Sequence, residues 1–285
     1  MNVLVTGTST GFGHLAARTL AHRGHRVFAT MRDPDGKNRA HAAALRAIAN
    51  LDVLELDVTS DASVDAAVAA ALSAAGHLDA VINNAGRAVI GLNETLAPDQ
   101  LLRMLDTNVV GMQRVNRAVL PSMRARGAGL IVHVSSGLGR ILIPVTGLYA
   151  ATKWAVEALA ETYRYELKAT GVEISIVQPG AYPTELGQTD PAGADQDRAT
   201  GYGPLAGALP RFLDRAKAVR ADPSAPDPQQ VADAIVALVE TPAGQRPARV
   251  PVDASNNPLV PQLNAAHADA QRQLLQMMGM AALAE

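Results

Sequence analysis

Residues 5–13 read VTGTSTGFG, an apolar run that breaks into three glycines, Gly7, Gly11 and Gly13. A strand that ends in Gly-x-x-x-Gly-x-Gly and enters a helix lets the backbone approach a ligand closely. The helix N-terminus then offers free N–H groups and the positive end of its dipole. Such a loop suits a pyrophosphate, although a tight strand-to-helix turn without a ligand uses the same residues. The spacing also departs from the common G-x-G-x-x-G dinucleotide fingerprint.

Outward from this loop, short β-branched runs alternate with helical patterns. Strands are expected at 2–6, 25–30, 52–57, 79–83, 129–135, 173–178 and 248–253. Parallel neighbours require helical crossovers, so the alternation predicts an α/β fold: a seven-stranded parallel sheet with helices on both faces. From 185 to 228 the chain turns rich in Pro, Gly, Asp and Ala. Its first part reads as a mobile excursion. Its second part reads as a turn, in which Asp227 caps a helix with Pro228 at its first position. Residues 258–285 read as a closing helix.

The chain has 285 residues, 48% of them hydrophobic, and a formal net charge of -2, which offers nothing to draw it to nucleic acid or an anionic membrane. It has no cysteine, which removes disulfides, thiolate catalysis, iron–sulfur clusters and cysteine-ligated zinc, and fits a reducing compartment. Cytoplasmic location is the expectation: Met1 passes directly into VLV with no basic leader, and no apolar run is long enough to span a bilayer. The seven histidines are scattered, and the His22–His25 pair lies near a helix end, so no metal is expected.

Five further stretches follow the glycine loop: NNAG at 83–86, DTNVVG at 106–111, VSSG at 134–137, YAATK at 149–153 and PGAYPT at 179–184. In this order, and on these element types, the set resembles the motifs of the short-chain dehydrogenase/reductase family. The resemblance covers about residues 2 to 184 and the last strand. It implies a Rossmann-type doubly wound sheet forming one NAD(P)-binding domain over 1–285, with a substrate lid at about 185–228 and a C-terminal extension at about 256–285.

Tyr149 and Lys153 stand four apart in a helical pattern, so their side chains share a face. An ammonium beside a phenol favours the phenolate and lowers the tyrosine toward the range useful for proton transfer. The resemblance gives Tyr149 the role of acid/base, and Ser136 that of the hydroxyl that orients the substrate carbonyl, with Ser135 as its structural neighbour. It gives Asn108 a water that links Lys153 to solvent.

The same resemblance implies a cofactor set. Gly7, Ser9, Thr10, Gly11, Phe12 and Gly13 surround the pyrophosphate, and Asp57 and Val58 lie at the adenine. Asn84, Ala85 and Gly86 pass under the ribose, and Tyr149, Lys153, Pro179, Gly180 and Thr184 border the nicotinamide. Met31 occupies the place of the acid that selects NAD, and Arg32 follows it, so NADP(H) is the expected cofactor and NAD(H) the alternative.

The expected reaction interconverts a ketone or aldehyde and an alcohol by hydride transfer. The alternatives are an NAD-dependent alcohol dehydrogenase and a non-catalytic NADP-binding sensor or scaffold of the same fold. Leu142, Ile143, Val145 and Leu148 would wall a pocket for a small apolar substrate, with Tyr182, Tyr202 and Phe212 nearby. A homodimer or homotetramer is the expected assembly.

Overall fold

A computed structural model of the chain describes residues 1–186, 193–255 and 257–283. Its strands are β1 Asn2–Thr6, β2 Arg26–Met31, β3 Leu51–Glu55, β4 Ala80–Asn83, β5 Gly129–Val134, β6 Val172–Pro179 and β7 Arg249–Val252. All pair in parallel in the order β3-β2-β1-β4-β5-β6-β7, with Val3 opposite Val27 and Ala80, and Ile131 opposite Val81 and Ile174. The order reverses between β1 and β4, the switch point at whose carboxyl edge ligands of open α/β sheets bind.

The strands read as continuous apolar runs because both faces of the sheet are buried. Successive side chains point to opposite faces. Val3, Val5, Val27 and Ala29 therefore pack with Leu20 of α1 (Gly11–His22) and Ile235 of α8 (Gln229–Glu240). Leu4, Phe28, Val81 and Ile131 pack with Val64 of α3 (Asp61–Ala75), Val119 of α5 (Gly111–Arg126) and Ala160 of α6 (Gly147–Glu166). Between β2 and β3 runs α2 (Arg39–Arg46), and α4 (Pro98–Leu105) precedes α5.

Helix starts follow local chemistry. The Ser60 hydroxyl accepts from the Ser63 N–H at 3.3 Å and caps α3. The Asp227 carboxylate accepts from the Gln229 N–H at 2.9 Å in the turn before α8, but the N-cap is Pro228, one residue later than expected.

The expected mobile excursion is largely helical where it is described. Gln196–Gly207 forms 3-10 turns with a kink at Gly203, and α7 spans Ala208–Ala221. Leu209, Tyr202 and Phe212 pack on Leu92 and Val145, an apolar contact that the polar composition around it concealed. Residues 187–192 of that stretch lie outside the described residues. The closing helix, α9, spans Leu259–Met277 and buries Val260 and Leu275, while residues 256, 284 and 285 lie outside the described residues.

Candidate active site

Six strand ends bring the expected residues to one edge. Gly7 follows β1, Arg32 follows β2, Asp57 lies beyond β3, Asn84 follows β4, Ser135 and Ser136 follow β5, and Pro179 closes β6. Thr6 locks two of these ends together, its hydroxyl accepting from the Asn84 and Ala85 N–H groups, both at 3.0 Å. The Asn84 amide donates to the Thr6 and Gly7 carbonyls at 2.9 and 3.0 Å, bracing the glycine loop from below.

The loop needs its glycines. Gly7 sits at φ +69, and a side chain there would meet the Ala85 backbone at 2.8 Å. A Cβ at Gly13 would stand 2.3 Å from the Asn84 amide nitrogen and 2.5 Å from the Gly7 carbonyl oxygen. Thr10 is the N-cap of α1 without a side-chain cap bond, and the first turn of the helix carries no acid, so its leading N–H groups suit an anion. Ser9 and Thr10 are half-buried on this loop. Phe12 meets the Tyr182 ring edge-on at 5.8 Å, and the Tyr182 hydroxyl donates to Gln230 at 3.0 Å. Tyr182, expected on the substrate wall, thus packs against the glycine-loop helix. Thr184 stands over Gly11, within 3.9 Å of where a Cβ would lie, and Gly180 donates its N–H to the Val252 carbonyl at 2.7 Å.

Arg32 is exposed just past β2, its carbonyl accepting from the Asn38 amide at 2.6 Å. The Asp57 carboxylate accepts from the Thr59 N–H and hydroxyl at 2.9 and 2.8 Å. Val58 is buried against Gly111 and gives its side chain to the core.

Around the phenol, Tyr149 is buried among Ala88, Val89, Leu96 and Met104, with Leu138 and Leu148 beside them. Burial pushes its pKa up, and a hydrogen bond with Ser136 pulls it back in part. This reverses the expected lowering by the ammonium. Lys153 lies 5.8 Å from the ring centroid and donates instead to the Val134 carbonyl at 2.9 Å. Burial brings Lys153 down to about 8, with Glu157 acting to raise it. The Ser136 hydroxyl accepts from the Leu138 N–H at 3.1 Å.

Asn108 sits in a π-helical turn, Asp106–Val110, that joins α4 to α5, a distortion common at functional sites. Its side-chain oxygen accepts from the Arg87 N–H at 2.8 Å, and its amide donates to the Arg87 carbonyl and the Thr152 hydroxyl, both at 2.9 Å. That side chain is therefore engaged with protein. Gly86 is adjacent: a Cβ there would stand 3.4 Å from the Asn108 oxygen and 3.9 Å from the Lys153 nitrogen.

Of the expected apolar wall, Leu148 lies against the Tyr149 cluster and Val145 is buried against Leu92 and Leu209, whereas Leu142 and Ile143 are exposed. Val145 adopts φ +66, uncommon for a β-branched residue, and its carbonyl accepts from the Gly91 N–H at 2.8 Å. Thr152, which accepts from the Asn108 amide, was not singled out by sequence reasoning. Its signal lies in a contact between distant segments, not in any local pattern.

The sheet order, the switch-point loop and the residues gathered at its edge define a Rossmann-type fold. The chain belongs to the short chain dehydrogenase family, whose model matches residues 1–195. It is 36% identical over 182 residues to a 3-ketodihydrosphingosine reductase of Bacteroides thetaiotaomicron, a match covering 64% of each chain. A short-chain dehydrogenase from Streptomyces avermitilis superposes with a TM-score of 0.75 at 28% identity, covering 99% of this chain and 96% of that one. An actinorhodin polyketide ketoreductase solved with NADPH superposes with a TM-score of 0.72 at 28% identity, covering 89% and 95%. Among the described residues no helix is long and apolar enough to cross a membrane.

Proposed function

We propose that the protein is an NADP(H)-dependent oxidoreductase that interconverts a small apolar ketone or aldehyde and the corresponding alcohol. The observation that carries this reading is the meeting of Tyr149, Ser136 and Lys153 beside the glycine loop, with Tyr149 hydrogen-bonded to Ser136 inside an apolar enclosure. The cradle at Gly7 and Gly13, where any side chain would collide with Ala85 or Asn84, fits a dinucleotide pyrophosphate laid on the first turn of α1. Arg32 beyond β2 supports the choice of NADP(H), as does the polyketide ketoreductase that carries NADPH. When bound, the nicotinamide supplies or accepts the hydride.

The protein's own residues handle the proton. With its pKa pushed up, Tyr149 holds its phenolic proton at neutral pH and is an acid for a developing alkoxide. Ser136, already bonded to the phenol, presents its hydroxyl to the same oxygen. Lys153 supplies a buried positive charge beside the ring, favouring the phenolate formed after transfer. The apolar surroundings of Tyr149 favour an apolar substrate, with 193–221 as the lid over it and 257–283 as the C-terminal extension. A cytoplasmic homodimer or homotetramer is part of this reading. Assembly is supported by the exposed Val110 and Trp154 near and on α5 and α6, and by a groove between those helices lined by Arg117, Leu120, Pro121, Arg124, Tyr163 and Glu166.

The test is reduction of a panel of aryl ketones, aldehydes and diketones, with NADPH and NADH in parallel, by the parent and by Tyr149→Phe. Turnover by the parent and its loss in the variant, with NADPH affinity kept, is the expected result. Parental turnover in Tyr149→Phe overturns the mechanism.

A further inference from the structure

Behind the reaction centre lies a buried ionic cluster that the chemistry above does not use. Glu157 stands one turn after Lys153 on α6, with its side chain 3% exposed. Its carboxylate meets Arg249 Nε of β7 at 3.0 Å and Arg140 Nη2 at 3.3 Å, and accepts from the Gln178 amide of β6 at 2.8 Å. Arg140 follows the 3-10 turn Gly137–Gly139 that Ser136 caps, and its Nε donates to Asn264 of α9 at 3.0 Å. Gly139 allows the turn to lie this close, because a Cβ there would be 2.9 Å from the Ser135 hydroxyl and 3.0 Å from Glu157 Cγ.

One turn further along α6, Glu161 meets Arg249 at 2.6 Å and His267 of α9 at 2.8 Å. Two arginines and two glutamates thus close a balanced set across α6, β7, the serine turn and α9. Charges taken out of water persist where every one is paired.

We propose that Glu157 is a positioning residue of the reaction centre: it fixes the serine turn through Arg140, ties that turn to α9, and sets the field at the Lys153 ammonium. The inference rests on the reading that Tyr149, Ser136 and Lys153 form that centre. Four segments depend on the one carboxylate. A neutral replacement leaves Arg140 and Arg249 with half of their counter-charge removed beside the helix turn that carries Lys153.

The groups facing Lys153 and Glu157 are few. Tyr149, Glu157 and Glu161 come from α6 and His133 from β5, where it is buried with its pKa pushed down to about 3 by burial and by Lys153. Arg249 comes from β7, Arg140 from the serine turn and His267 from α9. Removing the Glu157 charge therefore lowers the Lys153 midpoint, and removing the Arg140 charge raises it.

The chain has four lysines, at 37, 153, 168 and 217, of which Lys153 is buried and the others are exposed. The ε-carbon of Lys153 can therefore be followed by NMR titration of protein labelled with 13C-lysine, without substrate. The expected result is a midpoint near 8 in the parent. It falls by about one pH unit in Glu157→Gln, rises in Arg140→Met and stays near the parental value in Glu157→Asp.

Shifts of the same sign in Glu157→Gln and Arg140→Met, or no shift in either, overturn the proposal. If Glu157→Gln does not fold, Arg140→Met decides alone: a raised midpoint supports the proposal and an unchanged one overturns it. Parental turnover in Tyr149→Phe would remove the catalytic reading without touching these midpoints. An unmoved Lys153 midpoint alongside an inactive Tyr149→Phe would remove only the role of Glu157.

Discussion

At the scale of single residues, chemistry here is set by what each polar atom has already been given to do. Asn108 and Asn84 carry amides bonded to nearby backbone, with the Thr152 hydroxyl as a further partner of Asn108, so they act as braces for Arg87 and for the glycine loop. Arg32 is the contrasting case, an exposed guanidinium beside the end of β2. Charge-assisted hydrogen bonds to a phosphate are worth about 1.5–3 kcal/mol. Arg32→Ala is therefore expected to raise the KM for NADPH about tenfold or more while leaving that for NADH nearly unchanged. Parallel steady-state kinetics with the two cofactors check this, and an unchanged NADPH value would return Arg32 to the role of a solvated loop charge. Helical spacing placed Tyr149 and Lys153 on one face in the sequence, and the family resemblance added Ser136 at a strand end. Sequence reasoning missed the sign of the Tyr149 shift because burial is not local.

Among the elements, the strands were legible in the sequence almost to their ends, since the central ones are apolar runs with both faces covered and the edge strands β3 and β7 still carry valine between turn residues. Residues 193–221 were not. Their Gly, Pro and Asp content speaks for loop, while the apolar positions Leu209 and Phe212 declare themselves only against Leu92 and Val145. Polar contacts add to that packing: Glu94 accepts from the Tyr202 hydroxyl at 2.9 Å and meets Arg198 at 3.2 Å, and the Asp195 N–H donates to the Thr95 carbonyl at 3.0 Å. Exposed pairs of this kind are worth up to about 1 kcal/mol each. Glu94→Ala is thus expected to speed tryptic cleavage within α7 by a factor of about 5, with the sheet core unaffected. Limited proteolysis followed by mass spectrometry reads this directly. An unchanged rate would mean that apolar packing alone holds the segment.

For the whole molecule, acid stability follows from the ionic cluster. Burial raises the pKa of the Glu161 carboxyl, but hydrogen bonds from Tyr165, Arg249 and His267 and the charge of Arg249 outweigh it and hold the group near 2, against 4.5 for a free glutamate. The folded state therefore binds this proton less readily than the unfolded chain. The stabilisation is complete above about pH 4.5 and is lost as the pH falls toward 2. Urea midpoints measured between pH 5 and pH 2.5 are expected to fall steeply in the parent, and the Glu161→Gln protein is expected to show a flatter dependence from a lower starting stability. Equal slopes would mean that other carboxylates govern acid unfolding.

Order along the chain was enough to determine the sheet, the glycine turn, the Tyr149–Lys153 helix and the strand ends that carry the rest of the site. Each of these follows from periodicity, backbone freedom or spacing within a few residues. Tertiary structure alone decided that α9 reaches the serine turn through Asn264 and Arg140, and that Thr6 clamps the ends of β1 and β4. It also decided that the phenol is too well buried to ionise easily. The physical reason is common to all three. Desolvation and ion pairing are properties of what surrounds a group in space, and segments more than a hundred residues apart, such as Arg140 and Asn264, leave no pattern in the sequence between them.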